Sequence, residues 1–354
     1  METNRKNILV APLNWGLGHA TRCIPIIREL QKNDFNVIIA SDGGALSLLQ
    51  KEFPDLLALP LPSYDIEYAQ NGDDFKWKLI KNSPKLLLAI ITENKKVKEW
   101  VTQYDLTGII SDNRFGVYNK QIPSVFITHQ LKVLSGDTTW ISSKIHQFFI
   151  KKFTVCWVPD LQEKPNLTGK MGHLKTTDLA LEYIGPLSRL EKKELPNLYS
   201  LMVILSGPEP QRTLLETILT EEVAHFNGNV IFIKGVIESV QKKSQDKHIT
   251  YYNFMTSLEL ENAVNESEMV LCRSGYTTIM DLTKLNKKAF FIPTPGQFEQ
   301  EYLAKKMRRS GFAPFAKQDD FRIEKLLEVA LYKGLPELHK EVDWAALFEL
   351  FEGK

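Results

Sequence analysis

Short apolar runs alternate with amphipathic stretches along the chain, a pattern typical of parallel strands covered by helices. The first run, NILVAPL at 7–13, leads directly into the stretch NWGLGHATR at 14–22, and a helix is predicted over 21–33. Further strands are predicted at 36–41, 56–60, 106–111, 124–128 and 154–158. Continuous apolar strands separated by helices indicate a parallel sheet covered on both faces.

The same pattern restarts near residue 200, after a segment rich in proline and charge that lacks periodicity. Strands are predicted there at 201–207, 230–235, 248–254, 269–275 and 289–293, with a helix at 210–225. A chain of 354 residues also exceeds the usual size of one hydrophobic core. We therefore predict an α/β protein built from two Rossmann-like parallel-sheet domains.

The predicted domains divide the chain into four parts. They are an N-terminal domain at 1–185, a hinge at 186–200, a C-terminal domain at 201–335, and an amphipathic helix at 336–354 that packs back on the N-terminal domain. Two such domains are expected to face a central cleft. Ligands of open α/β sheets bind at the carboxyl ends of the strands, so the loops after the strands are expected to carry the function.

Composition removes several function classes. The net charge of +1 gives no general electrostatic case for nucleic acid. The three cysteines are too few and too widely spaced for a disulfide framework or a zinc site, and they fit a reducing compartment. METNRKN is too short and polar for a signal peptide, and no apolar run is long enough to span a membrane. A cytoplasmic protein is expected.

NWGLGHATR has two interpretations. Gly16 and Gly18 match the first glycines of a dinucleotide fingerprint, but Thr21 occupies the third position, and Asp42 would be its acid. Alternatively, the glycines let a ligand approach and His19 acts as a general base, because the positive end of a helix disfavours imidazolium. His19 could also merely cap or pack. The loop alone leaves these alternatives open.

Two other strand ends in the N-terminal domain carry candidate side chains. Asp112, in SDNRFG, would fix the tautomer of His19, although an aspartate after a strand often serves only a turn or cap. His129 and Gln130, in THQL, could line the expected cleft or simply close their strand.

Residues 269–307 give the strongest signal. A strand there ends in Arg273, Ser274 and Gly275, and a helix starts at once with hydroxyl residues, Thr277 and Thr278 among them. Main-chain N–H groups, hydroxyls and a guanidinium at one point form an anion site suited to a diphosphate. The alternative is that the hydroxyls only cap the helix.

Further polar residues extend this candidate site. Asp281 follows about one turn further along the helix, within reach of a ribose diol, and amide and carboxylate groups suited to sugar hydroxyls follow the next strand at Gln297, Glu299 and Gln300. A weaker anion site is predicted in LSGPEPQRT, with Ser206, Gly207 and Arg212 as phosphate contacts. Solvation of these side chains is the alternative.

At 269–307 the sequence resembles the donor-binding domain of GT-B glycosyltransferases, most closely family 28, which includes the UDP-GlcNAc transferase of peptidoglycan precursor synthesis. The resemblance implies that Arg273, Ser274, Gly275 and Thr278 hold the UDP pyrophosphate. It implies that Asp281, shorter than the usual Glu, holds the ribose, that Glu299 and Gln300 hold the donor sugar, and that the main chain of Phe254 and Met255 holds the uracil. It also places the acceptor-side histidine at His19.

Two loops depart from the family pattern. The chain has Gly-Leu-Gly-His where the peptidoglycan enzyme has a longer Gly-Gly-His loop, and Ser-Gly-Pro-Glu-Pro where that enzyme is glycine-rich. The acceptor is therefore not carried over from the resemblance.

Together these features predict an inverting, metal-independent transferase that moves a sugar from a nucleotide-sugar, expected to be a UDP-sugar, to an acceptor hydroxyl. The acceptor classes are a lipid-linked or cell-envelope glycan and a small molecule, and no cofactor is expected besides the donor. The alternatives are a nucleotide-sugar epimerase or hydrolase of the same fold, and a non-catalytic nucleotide-sugar binder.

Residues 75–100 bear on localisation. They mix Phe75, Trp77 and Ile80 with lysines, so they could lie on the inner face of an anionic membrane as a peripheral contact. The favoured interpretation is an ordinary helix pair broken at Pro84.

Overall fold

The structure, a computed structural model, describes residues 5–64, 72–207, 209–236, 238–338 and 342–353, with the backbone alone for 72–83. The chain divides into two compact units. The N-terminal unit includes Trp77–Leu187, the strands before it and the residues from 342 onward, and the C-terminal unit includes Ser188–Leu338. The division at Leu187 falls within the segment predicted as the hinge.

The strands of the N-terminal unit form one seven-stranded sheet, and every pairing in it is parallel. They are β1 (Asn7–Pro12), β2 (Asn36–Ser41), β3 (Ala58–Pro60), β4 (Leu106–Asp112), β5 (Ser124–Ile127), β6 (Val155–Val158) and β7 (Leu181–Tyr183). Their order is β3-β2-β1-β4-β5-β6-β7. The order reverses at β1, so β1 and β4 flank the switch point of the sheet.

The C-terminal unit contains a six-stranded sheet in the order β10-β11-β9-β8-β12-β13. Its strands are β8 (Leu201–Ile204), β9 (Val230–Ile233), β10 (Lys243–Asp246), β11 (Ile249–Tyr252), β12 (Met269–Cys272) and β13 (Lys288–Phe291). All pairings are parallel except that of β10 with β11. Here the order reverses at β8, so β8 and β12 flank the second switch point.

The helices connect these strands. They are α1 (Gly18–Lys32), α2 (Gly43–Glu52), α3 (Gly72–Gln103), α4 (Thr139–Ile150), α5 (Gln211–Val223), α6 (Ser257–Asn265), α7 (Tyr276–Lys284), α8 (Phe298–Arg309) and α9 (Trp344–Phe348). Short 3-10 segments occur at Gly136–Thr138, Gly169–Met171, Gln318–Asp320, Ile323–Leu331 and Glu349–Phe351. The predicted α/β class and the two parallel-sheet units are confirmed.

Each sheet is buried because its strands are apolar on both faces, as a parallel sheet requires. In the N-terminal unit, Leu9, Ala11 and Ile109 are fully buried and share one cluster with Trp100 of α3. In the C-terminal unit, Val203 of β8 is likewise fully buried at the centre of that unit's core. The apolar runs that predicted the strands therefore supply the core of each unit.

The structure corrects three predicted helices. The first begins at Gly18 rather than Thr21, which places His19 inside its first turn. The predicted break at Pro84 is wrong, because α3 continues through it, supported by a later buried stripe that includes Ile90 and Val97. A proline can interrupt the hydrogen-bond ladder of a helix without ending the helix when packing continues beyond it.

The third correction concerns the chain end, where a single helix was predicted over 336–354. The described residues there form only α9 and one 3-10 turn, because the Asp343 side chain accepts a hydrogen bond from Ala346 N and starts the helix at Trp344. These residues group with the N-terminal unit. Gly108 of β4 leaves room for the Phe351 ring, which a Cβ at this position would overlap.

Residues 75–100 fall partly outside the described side chains, Phe75, Trp77 and Ile80 among them. Beyond them, Leu87, Leu88 and Ile91 are exposed. Within the described ranges, no helix has both the length and the apolar character needed to cross a membrane.

Candidate functional site

Several of the predicted site residues follow the strands that flank the two switch points. Gly16, Gly18 and His19 come after β1, and Asp112 ends β4. Ser206 and Gly207 come after β8, and Arg273 and Ser274 after β12. These are the places where open α/β sheets bind ligands.

The turn between β1 and α1 needs a glycine at residue 16. Gly16 has φ +76°, a conformation that L side chains rarely adopt, and a Cβ added there would meet no atom within 4 Å. The glycine is therefore set by backbone conformation, and the space beside it is open. Gly18 is the first residue of α1, so His19 follows at once in the first turn.

His19 and Asp112 meet in the structure. His19 Nδ1 lies 2.8 Å from Asp112 Oδ1, and Asp112 is fully buried at the end of β4, which pairs with β1. The His19 side chain retains 13% exposure. A buried carboxylate beside a partly exposed imidazole is the arrangement of a general base and the residue that orients it.

Arg22 completes this site, and the sequence interpretation missed it. Its Nε and Nη2 donate to the two carboxylate oxygens of Asp112, and its side chain is only 1% exposed. Its Nη2 also lies 2.8 Å from His19 Nδ1. The spacing between His19 and Arg22 could have indicated it, because residues three apart on a helix lie on the same face.

His129 adds a second imidazole on the other side of Arg22. The Arg22 Nη1 group donates to His129 Nδ1 at 3.1 Å, and His129 is almost fully buried just after β5. We call His19, Arg22, Asp112 and His129 the N-terminal charged cluster. Of the two candidates in THQL, the structure therefore brings His129 into this cluster, while Gln130 is half-buried beside it.

Electrostatics in this cluster favour a neutral base. Burial, followed by the positive charge of Arg22, lowers the pKa of His19, and this outweighs the opposite effect of Asp112. Burial alone would raise the pKa of Asp112, but Arg22 and His19 together hold it well below its usual range. At neutral pH the cluster thus contains a carboxylate, a guanidinium and a neutral His19.

Asp42, the acid that a dinucleotide site would need, is occupied inside the N-terminal unit. It accepts hydrogen bonds from Arg114 at 2.6 Å and from Asn14 at 3.1 Å. Arg114 is itself fully buried and also pairs with Glu93. A carboxylate held in this way does not favour the dinucleotide interpretation of the first loop.

Arg273 lies in a different environment from the one expected for a diphosphate contact. It is 1% exposed, and its Nη1 donates to the carbonyls of Ile292 and Pro293, while its Nη2 donates to Gln211 O and Gln318 Oε1. Burial lowers its pKa to about 9. The hydrogen bonds of Arg273 thus link three loop regions: the turn after β13, the start of α5 and the segment around Gln318. This geometry does not support direct contact with a ligand.

Ser274 and Gln300 also connect loops. Ser274 is fully buried and donates to Gln300 O at 2.8 Å, and Gln300 Oε1 accepts from Thr294 N at 2.8 Å. These bonds hold the start of α8 against the turn that precedes α7. The main chain of that turn is thereby fixed in place.

The remaining predicted diphosphate contacts surround the start of α7. Gly275 is the residue before the helix, and Gly275, Thr277 and Thr278 are all half-buried. The first N–H groups of a helix point out along its axis and carry its positive end, so this terminus suits an anion. These three residues lie together at this terminus, where the sequence interpretation placed the diphosphate.

Asp281 is a half-buried acid held by a neutral donor. Ser188 donates to its Oδ1 at 2.6 Å. Burial raises the pKa of Asp281 to about 6, although Arg189 and the Ser188 hydrogen bond act in the opposite direction. A carboxylate of this kind accepts further hydrogen bonds readily, as contact with a ribose would require.

The loop after β8 divides the predicted phosphate contacts. Ser206 and Gly207 are exposed. The Arg212 guanidinium instead donates hydrogen bonds to the carboxylates of Glu209 and Glu216, both at 2.6 Å, and to Lys234 O. Two carboxylates neutralise this arginine, which leaves the predicted phosphate contact without support.

The last predicted residues lie at strand ends and at the start of α8. Phe254 N donates to Asn253 Oδ1, and Phe254 O accepts from Gln241 Nε2. Met255 is half-buried beside it. Gln297 is the residue before α8 and Glu299 lies in its first turn, both half-buried.

Comparison with known families bears on the C-terminal unit. Residues 201–342 match the glycosyltransferase family 28 C-terminal domain. The UDP-N-acetylglucosamine--N-acetylmuramyl-(pentapeptide) pyrophosphoryl-undecaprenol N-acetylglucosamine transferase of Haemophilus ducreyi is 24% identical over 324 residues, which cover 88% of this chain and 85% of the relative. An uncharacterized glycosyltransferase of Methanopyrus kandleri is 18% identical over 333 residues, covering 90% and 92%.

Solved structures share the fold over most of the chain. MurG of Acinetobacter baumannii has a TM-score of 0.57 at 12% identity, covering 98% of this chain and 99% of that chain. The glycotransferase of kitacinnamycin has a TM-score of 0.63 at 14% identity, covering 99% and 94%. Spinosyn rhamnosyltransferase SpnG, complexed with thymidine diphosphate, has a TM-score of 0.59 at 12% identity, covering 98% and 95%.

Fold and domain together define this protein as a glycosyltransferase of the GT-B class, which confirms the resemblance predicted from residues 269–307. Within that class, residues 201–342 match the C-terminal domain of glycosyltransferase family 28.

Proposed function

We propose that this glycosyltransferase moves a sugar from a UDP-sugar to an acceptor hydroxyl, with His19 as the general base. The observation that carries the proposal is the 2.8 Å contact between His19 and the buried Asp112. His19 takes the proton of the acceptor hydroxyl as its oxygen attacks the anomeric carbon and the bond to the diphosphate breaks. Base catalysis of this kind contributes about 10²- to 10⁴-fold to a rate.

The donor is assigned to the C-terminal unit. Its support is the start of α7, where main-chain N–H groups and the helix dipole favour the negative charge that builds up on a leaving diphosphate. The Haemophilus ducreyi relative is named for UDP-N-acetylglucosamine, and the spinosyn enzyme was solved with thymidine diphosphate. UDP-N-acetylglucosamine is therefore the first donor to test.

A single displacement inverts the anomeric configuration, and we propose that route because one base is enough for it. We also propose that no metal ion takes part, since the helix terminus supplies the positive potential that a cation would otherwise give the diphosphate. A lipid-linked or cell-envelope glycan is the proposed acceptor class, because the named relatives act on a pyrophosphoryl-undecaprenol compound. A cytoplasmic location with peripheral membrane contact fits such an acceptor.

Thermal unfolding with added nucleotides tests the donor assignment. UDP is expected to raise the Tm more than TDP, GDP or NAD, because a ligand that binds only the folded state stabilises it by mass action. Asp281→Ala is expected to reduce that shift, and Asp178→Ala, an exposed residue paired with Lys151, serves as the matched control. Stabilisation by NAD and not by UDP would overturn the proposal.

Product analysis tests the reaction type. With an α-linked UDP-N-acetylglucosamine donor and the pyrophosphoryl-undecaprenol acceptor, a β-linked product is expected, formed equally well in EDTA. UDP release that is as fast without acceptor as with it would favour the epimerase or hydrolase alternative. Binding of UDP without any turnover would favour the non-catalytic binder.

A further inference from the structure

Arg22 lies at the centre of the N-terminal charged cluster, and nothing in the proposed reaction has yet used it. We propose that Arg22 is a positioning residue that keeps His19 a neutral base, by engaging the Asp112 carboxylate and by lying against the same ring nitrogen. This inference rests on the proposed function, because it concerns how the base of that reaction is kept ready.

The contact between Arg22 and Asp112 is a two-point one. Nε and Nη2 of Arg22 donate to opposite oxygens of the carboxylate, and both side chains are buried. The planar fork of a guanidinium matches a carboxylate in this way, whereas a lysine presents only a point charge. The third nitrogen, Nη1, donates to His129 Nδ1.

His19 Nδ1 lies at 2.8 Å from both Asp112 Oδ1 and Arg22 Nη2. The positive charge of an imidazolium would be attracted by Asp112 and opposed by Arg22, and an arginine has no acceptor that could bind the ring N–H. In the tautomer that suits a base, the neutral ring donates its Nδ1–H to Asp112 Oδ1, the same oxygen to which Arg22 Nη2 donates. Nε2 then keeps its lone pair for the acceptor hydroxyl.

Charge balance gives the expected effect of removing Arg22. The charged and titratable groups around His19 are Asp112 from β4, Arg22 from α1 and His129 after β5, and Cys23 of α1 faces Asp112. Without Arg22, the buried carboxylate would be left without a cation. A proton on His19 would then compensate it, so the pKa of His19 should rise.

Titration by NMR measures this without relying on turnover. The full chain is prepared with ¹³C-labelled histidine, and the His19 signal is assigned from its loss in His19→Ala. Arg22→Gln removes the charge, Arg22→Lys keeps it, and Arg28→Met changes an exposed arginine of the same helix that pairs with Glu52. Unchanged signals from the histidines outside the N-terminal charged cluster show that each variant is folded.

The pKa of His19 is expected to rise by about one pH unit or more in Arg22→Gln, to change much less in Arg22→Lys, and to stay constant in Arg28→Met. In the double variant Arg22→Gln/Asp112→Asn, which removes both charges, it should return toward the wild-type value. If Arg22→Gln alone does not fold, the double variant is compared with Asp112→Asn, in which Arg22 remains: loss of the arginine in that background should still raise the pKa of His19, and equal pKa values would overturn the inference.

An unchanged or lower His19 pKa in Arg22→Gln would overturn the inference, as would a Lys variant that behaves like the Gln variant. A double variant that keeps the raised pKa would also contradict it. Failure of the proposed function looks different, because it would appear as full transfer activity in His19→Ala, whatever the titration shows.

Discussion

Each unit buries one arginine close to the switch point of its sheet, Arg22 in the helix that follows β1 and Arg273 directly after β12, and the two arginines have different surroundings. Arg22 and Arg273 are both 1% exposed, and each lies close to the switch point of its sheet. Arg22 meets a carboxylate and two imidazoles, whereas Arg273 meets only carbonyl and amide oxygens. The fold therefore supplies the place, and the neighbouring side chains decide the chemistry.

The acids of the two candidate sites, Asp112 and Asp281, also differ in their neighbours and therefore in their pKa values. Arg22 holds the pKa of Asp112 well below its usual range, whereas burial raises that of Asp281 to about 6. At Asp112, the directly bound guanidinium of Arg22 lowers the pKa by more than burial raises it. At Asp281, the hydrogen bond from the Ser188 hydroxyl is too weak to offset the effect of burial on the pKa. Asp112 thus keeps a permanent negative charge in the N-terminal unit, whereas the pKa of Asp281 lies close to neutral pH.

The largest effect is expected from Asp112→Asn, which breaks the charged half of this comparison. The amide cannot neutralise Arg22 or orient His19 in the same way, so kcat should fall by at least about 100-fold. UDP affinity, assigned to the C-terminal unit, should be unchanged. Steady-state transfer kinetics and UDP titration measure both, with Asp178→Asn as the control. A normal kcat in Asp112→Asn would show that Asp112 takes no part in the reaction.

Glu93→Gln tests whether buried charge also supports the N-terminal unit away from the candidate site. Glu93 is fully buried and accepts from Arg114, Tyr64 and Gly116 N. Removing one partner of a buried pair leaves the other uncompensated, so the free energy of unfolding should fall by about 3 kcal/mol. Urea unfolding followed by circular dichroism measures it. A change close to zero would mean that Asp42 and the Pro62 carbonyl satisfy Arg114 without the charge of Glu93.

Asp281→Asn sharpens the contrast between the two acids through pH. The folded-state pKa of about 6 exceeds the usual 3.8, so the folded state binds the extra proton. Stability from this group is therefore present below about pH 4 and is lost as pH rises to about 6, a change on the order of 2–3 kcal/mol. Asp281→Asn should remove that dependence.

Chemical unfolding of wild type and variant at several pH values between about 4 and 8 gives the result. The same window should appear in UDP binding, because only the carboxylate accepts two hydrogen bonds from a ribose. Identical pH curves for the two proteins would show that Asp281 titrates at an ordinary pKa.

The smallest effects separate two arginines of the C-terminal unit. Arg273→Met removes the link between three loops and should weaken UDP binding on the order of tenfold, through misplacement rather than lost contact. Arg212→Met should leave UDP affinity within about twofold, because Glu209 and Glu216 already neutralise this side chain. Isothermal titration with UDP distinguishes them. Equal losses of UDP affinity in both variants would support the direct phosphate contacts that the sequence predicted for the two arginines.

The sequence predicted the strand ends well because buried parallel strands are continuous apolar runs, and this placed His19 near Asp112. It missed Arg22, which lies in a predicted helix and resembles any surface arginine. It also missed β10, whose residues KSQD are polar and exposed, so that no apolar pattern reveals them.

The setting of Arg273 was beyond sequence reasoning for a different reason. Its partners Gln211 and Gln318 are 62 and 45 residues away along the chain. Only the folded arrangement of three loops shows that they engage the amino groups of its guanidinium. A charged residue at a strand end therefore indicates a site, but the sequence alone does not indicate whether it faces a ligand or the protein.

The most direct test of the central claim compares wild type with His19→Ala. The rate of transfer from UDP-N-acetylglucosamine to the pyrophosphoryl-undecaprenol acceptor is measured through the UDP that is released. The affinity for UDP is measured separately. The account predicts a loss of at least about 100-fold in kcat with the Kd for UDP unchanged. Full turnover in His19→Ala would contradict it.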